Sequence, residues 1–193
     1  MVNTISKEQI STLPIAQFAG RIIVVQTEKE ADEAIKYLET FKRVGFDTET
    51  RPSFKKGKSH KIALMQISVD DTCFLFRLNM IGFPDSLSKF LDNPDILKIG
   101  LSLKDDFSAI RKRTSLEPQG FVELQSHVKD FGIEDASLQR IYAIIFNEKI
   151  SKRQRLTNWE NDVLTDAQKM YAALDAWACL RIYDELEKYR INN

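Results

Sequence analysis

Cysteine and net charge are what this chain most conspicuously lacks. It has two cysteines, Cys73 and Cys179, far apart in 193 residues. That is too few for a disulfide framework and points to a reducing compartment. Lysine plus arginine and aspartate plus glutamate both number 28, so the formal net charge is zero. No global field draws the chain to a polyanion, and any such preference must come from local clustering. No apolar run reaches the roughly 20 residues of a membrane span. The N-terminus, MVNTISKEQISTLPIAQF, lacks the basic start and long apolar stretch of a secretion signal. Internal repeats and low-complexity linkers are missing too. These absences set aside disulfide-stapled secreted scaffolds, membrane spans and solenoids, and predict a soluble, cytoplasmic chain.

What is present is ordinary globular material, 43% hydrophobic and 29% charged. The length favours one domain, taken as residues 21–193 behind an N-terminal extension of residues 1–20. The segment RIIVVQT (21–27) is short and β-branched, a strand. Residues 28–41 place Ala31, Ala34, Ile35 and Leu38 at helical spacing. VGFDTET follows as a strand. KIALMQISV (61–69) and TCFLFRL (72–78) flank Asp70-Asp71 as a hairpin. A short helix is expected over 84–91, a strand over 96–103 and a helix over 105–113. GFVELQSHV (120–128) reads equally as strand or helix. Helices are expected over 137–146 and 165–189, the last opened by Thr165 and Gln168 as a capping box. Strands dominate the first half and helices the second. The fold class is therefore α/β, a mixed sheet flanked by helices.

The chemistry concentrates in carboxylates. In VGFDTETRP, Asp47 and Glu49 share one face of a strand. Two like charges on one face repel each other and resist desolvation. In the last helix, Tyr171 and Asp175 share a face four residues apart, and Asp175 sits among Ala172, Ala173, Leu174, Ala176 and Trp177. A third acidic point, Asp105 or Asp106, lies where the strand LKIGLSL meets a helix start. Acids are favoured in a first helical turn by the macrodipole alone. If these carboxylates converge, they suit hard divalent cations, Mg2+ or Mn2+, whose charge offsets the repulsion. Two such ions about 4 Å apart can clamp a phosphodiester.

FDTET, IGLSLKDD and YAALD, in that order, resemble the three motifs of the DEDD 3′–5′ exonucleases. Tyr four residues before the last Asp marks the tyrosine subclass of this DnaQ-like superfamily. GKSHKIALMQISV, GFVEL and above all LTNWENDVLTDAQKMYAALDAWACLRIYDEL resemble the Werner-type exonuclease domain. The likeness runs from about Ile22 to Leu186. It implies a ribonuclease-H-like fold of five or six strands, with RIIVVQT an N-terminal addition to the sheet. It also implies a metal-dependent 3′–5′ exonuclease releasing nucleoside 5′-monophosphates. Asp47, Glu49, Asp106 and Asp175 match the ligands of two divalent ions. The family's six-residue count from the strand glycine, here Gly100, selects Asp106 over Asp105. Tyr171 matches the residue that positions or helps deprotonate the attacking water. The histidine of the sister subclass is replaced by Met170, and His60 and His127 lie elsewhere. Ser102 stands where relatives often carry Gly or Asn.

Two basic runs are candidates for substrate grip. RPSFKKGKSHK (51–61) contributes Lys55, Lys56 and Lys58, and KISKRQR (149–155) contributes Arg153 and Arg155. Each run either meets phosphates or is a solvated loop. Trp159 either stacks on a base or packs beneath the last helix. The expected partner is nucleic acid, DNA 3′ ends before RNA, and any helicase is expected to be a separate chain. The alternatives are ribonuclease D-like RNA 3′ trimming and a non-catalytic nucleic-acid-binding module of the same fold.

Overall fold

The computed structural model describes residues 3–54 and 60–191. Its frame is a six-stranded mixed sheet in the order β1-β4-β3-β2-β5-β6. The strands are β1 (Arg21–Val25), β2 (Arg43–Thr50), β3 (Ile62–Ser68), β4 (Thr72–Phe76), β5 (Leu97–Gly100) and β6 (Phe121–Glu123). β2, β3 and β4 form an antiparallel meander, while β1 joins β4, β5 joins β2 and β6 joins β5 in parallel. The Asp70-Asp71 turn closes the β3–β4 hairpin, with Val69 N–H donating to Thr72 O at 2.9 Å.

Helices cover both faces. The long α8 (Asp166–Ile191) lies against β2 and β3, with α7 (Leu138–Phe146) beside it. On the other face sit α2 (Glu28–Leu38), α4 (Asp85–Asp92) and α5 (Leu103–Arg111). Every residue of β3 is buried, as expected for a strand covered on both sides. Ala16 and Phe18, before β1, belong to the core on the α8 side. Among the described residues no helix is long and apolar enough to cross a membrane, and both cysteines are buried and free.

Capping chemistry sets several boundaries. Thr27 and Glu30 form a capping box on α2. Gln168 N–H donates to Thr165 Oγ1 at 3.2 Å and Thr165 N–H to Gln168 Oε1 at 3.0 Å, the reciprocal pair expected at the start of α8. Ser6 and Gln9 cap a short α1 (Lys7–Thr12) that hydrophobic spacing did not reveal.

The structure departs from the sequence expectation in three places. β5 is half the anticipated length, because Ser102 adopts the left-handed conformation (φ 61°, ψ 40°) and Leu103 already begins α5. GFVELQSHV is both things in turn, strand β6 and then the short α6 (Leu124–His127). The strand expected over 72–78 stops at Phe76, and Leu78–Ile81 form α3. RIIVVQT, the expected N-terminal addition to the sheet, is its edge strand, hydrogen-bonded in parallel to β4.

Candidate active site

Three carboxylates meet at one point. Asp47 and Glu49 leave the same face of β2, and Asp175 descends from α8. One oxygen of each lies within 4.8 Å of the others. Gly45 makes this approach possible. A Cβ built there would stand 2.0 Å from Ala176 O, so only a residue without a side chain lets the α8 backbone rest on β2. Ala172, Ala173 and Ala176, all buried, keep that face of α8 shallow. The carboxylate of Asp175 is thus delivered by two small-residue surfaces pressed together.

Asp106 is held differently. The Thr48 hydroxyl donates to its Oδ1, and its carboxylate is outside the group of three. α5 is aimed by Glu123 at the end of β6. Glu123 accepts from Ser102 N–H at 2.9 Å and from Leu103 N–H at 2.8 Å. These bonds occupy free amides at the start of α5 and pin the left-handed turn. Asp105, its neighbour, lines a separate cavity. The structure thus sets the two neighbouring acids in different surroundings, with Asp106, the one selected by the family's spacing, beside Thr48.

Every member of the set is pushed toward its neutral form. Burial, then Glu49, Asp175 and Asp106, raises Asp47 well above the usual carboxylate range. Burial and then Asp175 raise Glu49, with Arg155 pulling it back. Burial raises Asp175, opposed by a hydrogen bond with Tyr171 and by Lys152. Burial lifts Asp106 to about 6, opposed first by Thr48. Such a cluster of hard oxygens is a donor set for Mg2+ or Mn2+. Asp175 Oδ1 is fully buried without a hydrogen-bond partner among the described residues. An orphaned carboxyl oxygen beside two further carboxyl groups fits a cation.

Tyr171 stands one turn before Asp175. Burial, then Asp175 and Glu49, raise its pKa far above that of a free phenol, so it is a neutral O–H donor. Trp159 is fully buried, its ring centroid 6.0 Å from that of Tyr171. Of its two expected roles, packing is the one this geometry has, since no face is open to a base. Gln168 ties the preceding loop to α8, donating to Thr157 Oγ1 at 3.0 Å and Asn158 O at 3.2 Å.

The cationic candidates divide. A cavity of about 470 Å3 opens onto Asp47, Tyr171 and Asp175, and Arg155 and Lys152 both line it. Arg153 is exposed and outside that lining. Lys55, Lys56 and Lys58 lie outside the described residues. The described ends of their run, with Arg51 and His60, line a second cavity of about 480 Å3 with Lys112 and Arg113. Arg51 pairs with Glu160 at 3.4 Å, and Arg113 bonds Ile62 O and Leu78 O.

Sequence reasoning passed over several residues that shape this site. Lys152 was inside a noticed run but carried no motif. Glu123 was legible only as part of a family match. Thr48 reaches Asp106 from the β2 face opposite to Asp47, a contact that period-two alternation cannot announce. Gln66, directly opposite Asp47 on β3, showed only as one polar letter in an apolar strand.

A family model described as 3′–5′ exonuclease matches residues 22–189. The chain is 31% identical over 184 residues to the Mus musculus bifunctional 3′–5′ exonuclease/ATP-dependent helicase WRN, covering 90% of this chain and 13% of that protein. Among solved structures, the Aedes aegypti Nibbler EXO domain matches with a TM-score of 0.79 and 21% identity, over 92% of this chain and 93% of that one. Escherichia coli RNase D matches with a TM-score of 0.77 and 19% identity, over 87% and 46%. At these identities the two structures share the fold with this chain.

Proposed function

The chain belongs to the 3′–5′ exonuclease family, and from that premise we propose that it removes nucleoside 5′-monophosphates from nucleic-acid 3′ ends, DNA before RNA, using two divalent ions. The observation that carries this reading is the meeting of Asp47, Glu49 and Asp175 within 4.8 Å, beside a cavity with Lys152 and Arg155 on its wall.

Asp47, Glu49, Asp106 and Asp175 are the residues that would hold Mg2+ or Mn2+. Bound there, such ions supply Lewis-acid stabilisation of charge on the attacking and leaving oxygens and lower the pKa of water. Tyr171 keeps its proton, because burial and neighbouring acids oppose a phenolate. Its task is to orient the attacking water with its hydroxyl rather than to act as the base. Lys152 and Arg155 neutralise the substrate backbone at the cavity wall. The second cavity, behind Thr50 and Arg51, offers further cations on the other side of β2. DNA is put first because the long C-terminal stretch LTNWENDVLTDAQKMYAALDAWACLRIYDEL resembles the Werner-type exonuclease domain. The fold shared with RNase D favours RNA 3′ trimming as the second reading.

The experiment is digestion of 3′-labelled and 5′-labelled DNA and RNA oligonucleotides with Mg2+, with Mn2+ and in chelator. Mononucleotide release from the 3′ end of DNA, lost in chelator and in Asp175→Asn, is the expected result. Faster cleavage of RNA would favour the second reading. Binding without cleavage of either would leave a non-catalytic module.

A further inference from the structure

β3 carries one residue that its surroundings do not explain. Gln66 is 0% exposed in a strand where every position is buried. Neither its Nε2 nor its Oε1 has a hydrogen-bond partner among the described residues. Buried amides are nearly always paired, because an unpaired one forfeits its hydration without compensation. Leucine or methionine would fill this place without that penalty. The register shows what the amide is near. Gln66 pairs directly with Asp47 on β2 and with Leu75 on β4, and residues directly opposite in an antiparallel pair project from the same face about 5 Å apart. The carboxylate of Asp47 takes a backbone hydrogen bond from Thr48, which leaves it further accepting capacity.

We propose that Gln66 is a positioning residue for the metal centre: with cations held, its Nε2 donates to the Asp47 oxygen turned away from them and fixes that carboxylate's orientation. This rests on the metal-centre reading above. Residues that orient a ligand from behind commonly change metal affinity 10- to 100-fold when removed. The arrangement stores a mismatch. The amide is a liability to the metal-free fold and becomes useful when Asp47 serves as a ligand.

That mismatch gives the test two readouts of opposite sign. Gln66→Met keeps the length and apolar stem of the side chain, and Gln66→Leu is a second apolar version. Both are compared with the parent full chain, by Mn2+ titration calorimetry and by thermal unfolding in chelator. The expected result is Mn2+ binding weakened by roughly 10- to 100-fold together with a metal-free Tm raised by about 2–4 °C. A purely structural glutamine would lower the Tm and leave Mn2+ affinity alone. An Mn2+ Kd within twofold of the parent, a lowered Tm, or failure of both variants to fold would overturn the proposal. Absence of Mn2+ binding by the parent would instead overturn the metal-centre reading on which it rests.

Discussion

Gly45→Ala adds one methyl group at the point where α8 touches the sheet. The new Cβ would lie 2.0 Å from Ala176 O, 2.9 Å from Ala176 C and 3.1 Å from Leu180 Cβ. Real Cβ atoms essentially never come within 3.0 Å of such atoms, so the gap between α8 and β2 must open by about 1 Å. The obstacle is backbone, which has no rotamer to swing aside. Overpacking of this kind costs about 1–3 kcal/mol, which for a chain of this size lowers Tm by roughly 2–10 °C. The functional loss should be larger than the stability loss. Asp175 precedes Ala176 and moves with it, away from Asp47 and Glu49, and a 1 Å misplacement can reduce turnover by about 10²-fold. Circular dichroism melts, Mn2+ titration and the oligonucleotide assay on one preparation test this. The variant should remain folded, bind Mn2+ more weakly and cleave far more slowly. Parent-like Tm and parent-like cleavage together would refute the view that direct backbone contact at Gly45 sets the separation of the carboxylates.

Asp106→Ala should abolish cleavage in the same assay, whereas Asp105→Ala, altering an acid on a different cavity, should keep most of it; the reverse pattern would put the second motif one residue off. Lys152→Gln with Arg155→Gln should weaken substrate binding and flatten its dependence on log salt by roughly 0.7–0.9 per contact removed, read by fluorescence anisotropy at several salt concentrations. Ser102→Gly removes a left-handed serine that costs about 1–2 kcal/mol, partly offset by the greater chain entropy of glycine, so Tm should rise by about 1–2 °C. Lys98 is fully buried, and burial lowers its pKa to about 8 from a reference of 10.5. Between those values the unfolded chain binds more protons than the folded one, so this lysine's contribution to stability rises with pH across the window. Melts at pH 7.5 and pH 10 should show the parent gaining a few degrees relative to Lys98→Met, and a pH-independent difference would argue against a depressed pKa.

Local sequence determined much of this protein. The helix over residues 28–38 follows from 3.6-residue spacing and its Thr27–Glu30 box, and α8 from the Thr165–Gln168 box, because those forces act within a few residues of chain. The β3–β4 hairpin follows from two apolar runs around Asp70-Asp71. The spacing of Asp47 to Glu49 and of Tyr171 to Asp175 put each pair on one face, since strand and helix periods are fixed by backbone geometry. Tertiary structure decided the rest. That Asp175 comes within 4.8 Å of Asp47 and Glu49 depends on Gly45 meeting Ala176 across 131 positions of chain, a steric fact with no local signature. The family's spacing names Asp106, but the separate surroundings of Asp105 and Asp106 depend on Thr48 reaching Asp106 and Glu123 aiming α5, contacts made by residues distant in sequence. Trp159 lost its open face only when α8 and the preceding loop closed over it. Which lysine or arginine faces the carboxylates, Lys152 and Arg155 rather than Arg153, is set by the path of an irregular loop, where no period links sequence position to direction. The buried amide of Gln66 acquires meaning only from register, which places it opposite Asp47 on β2.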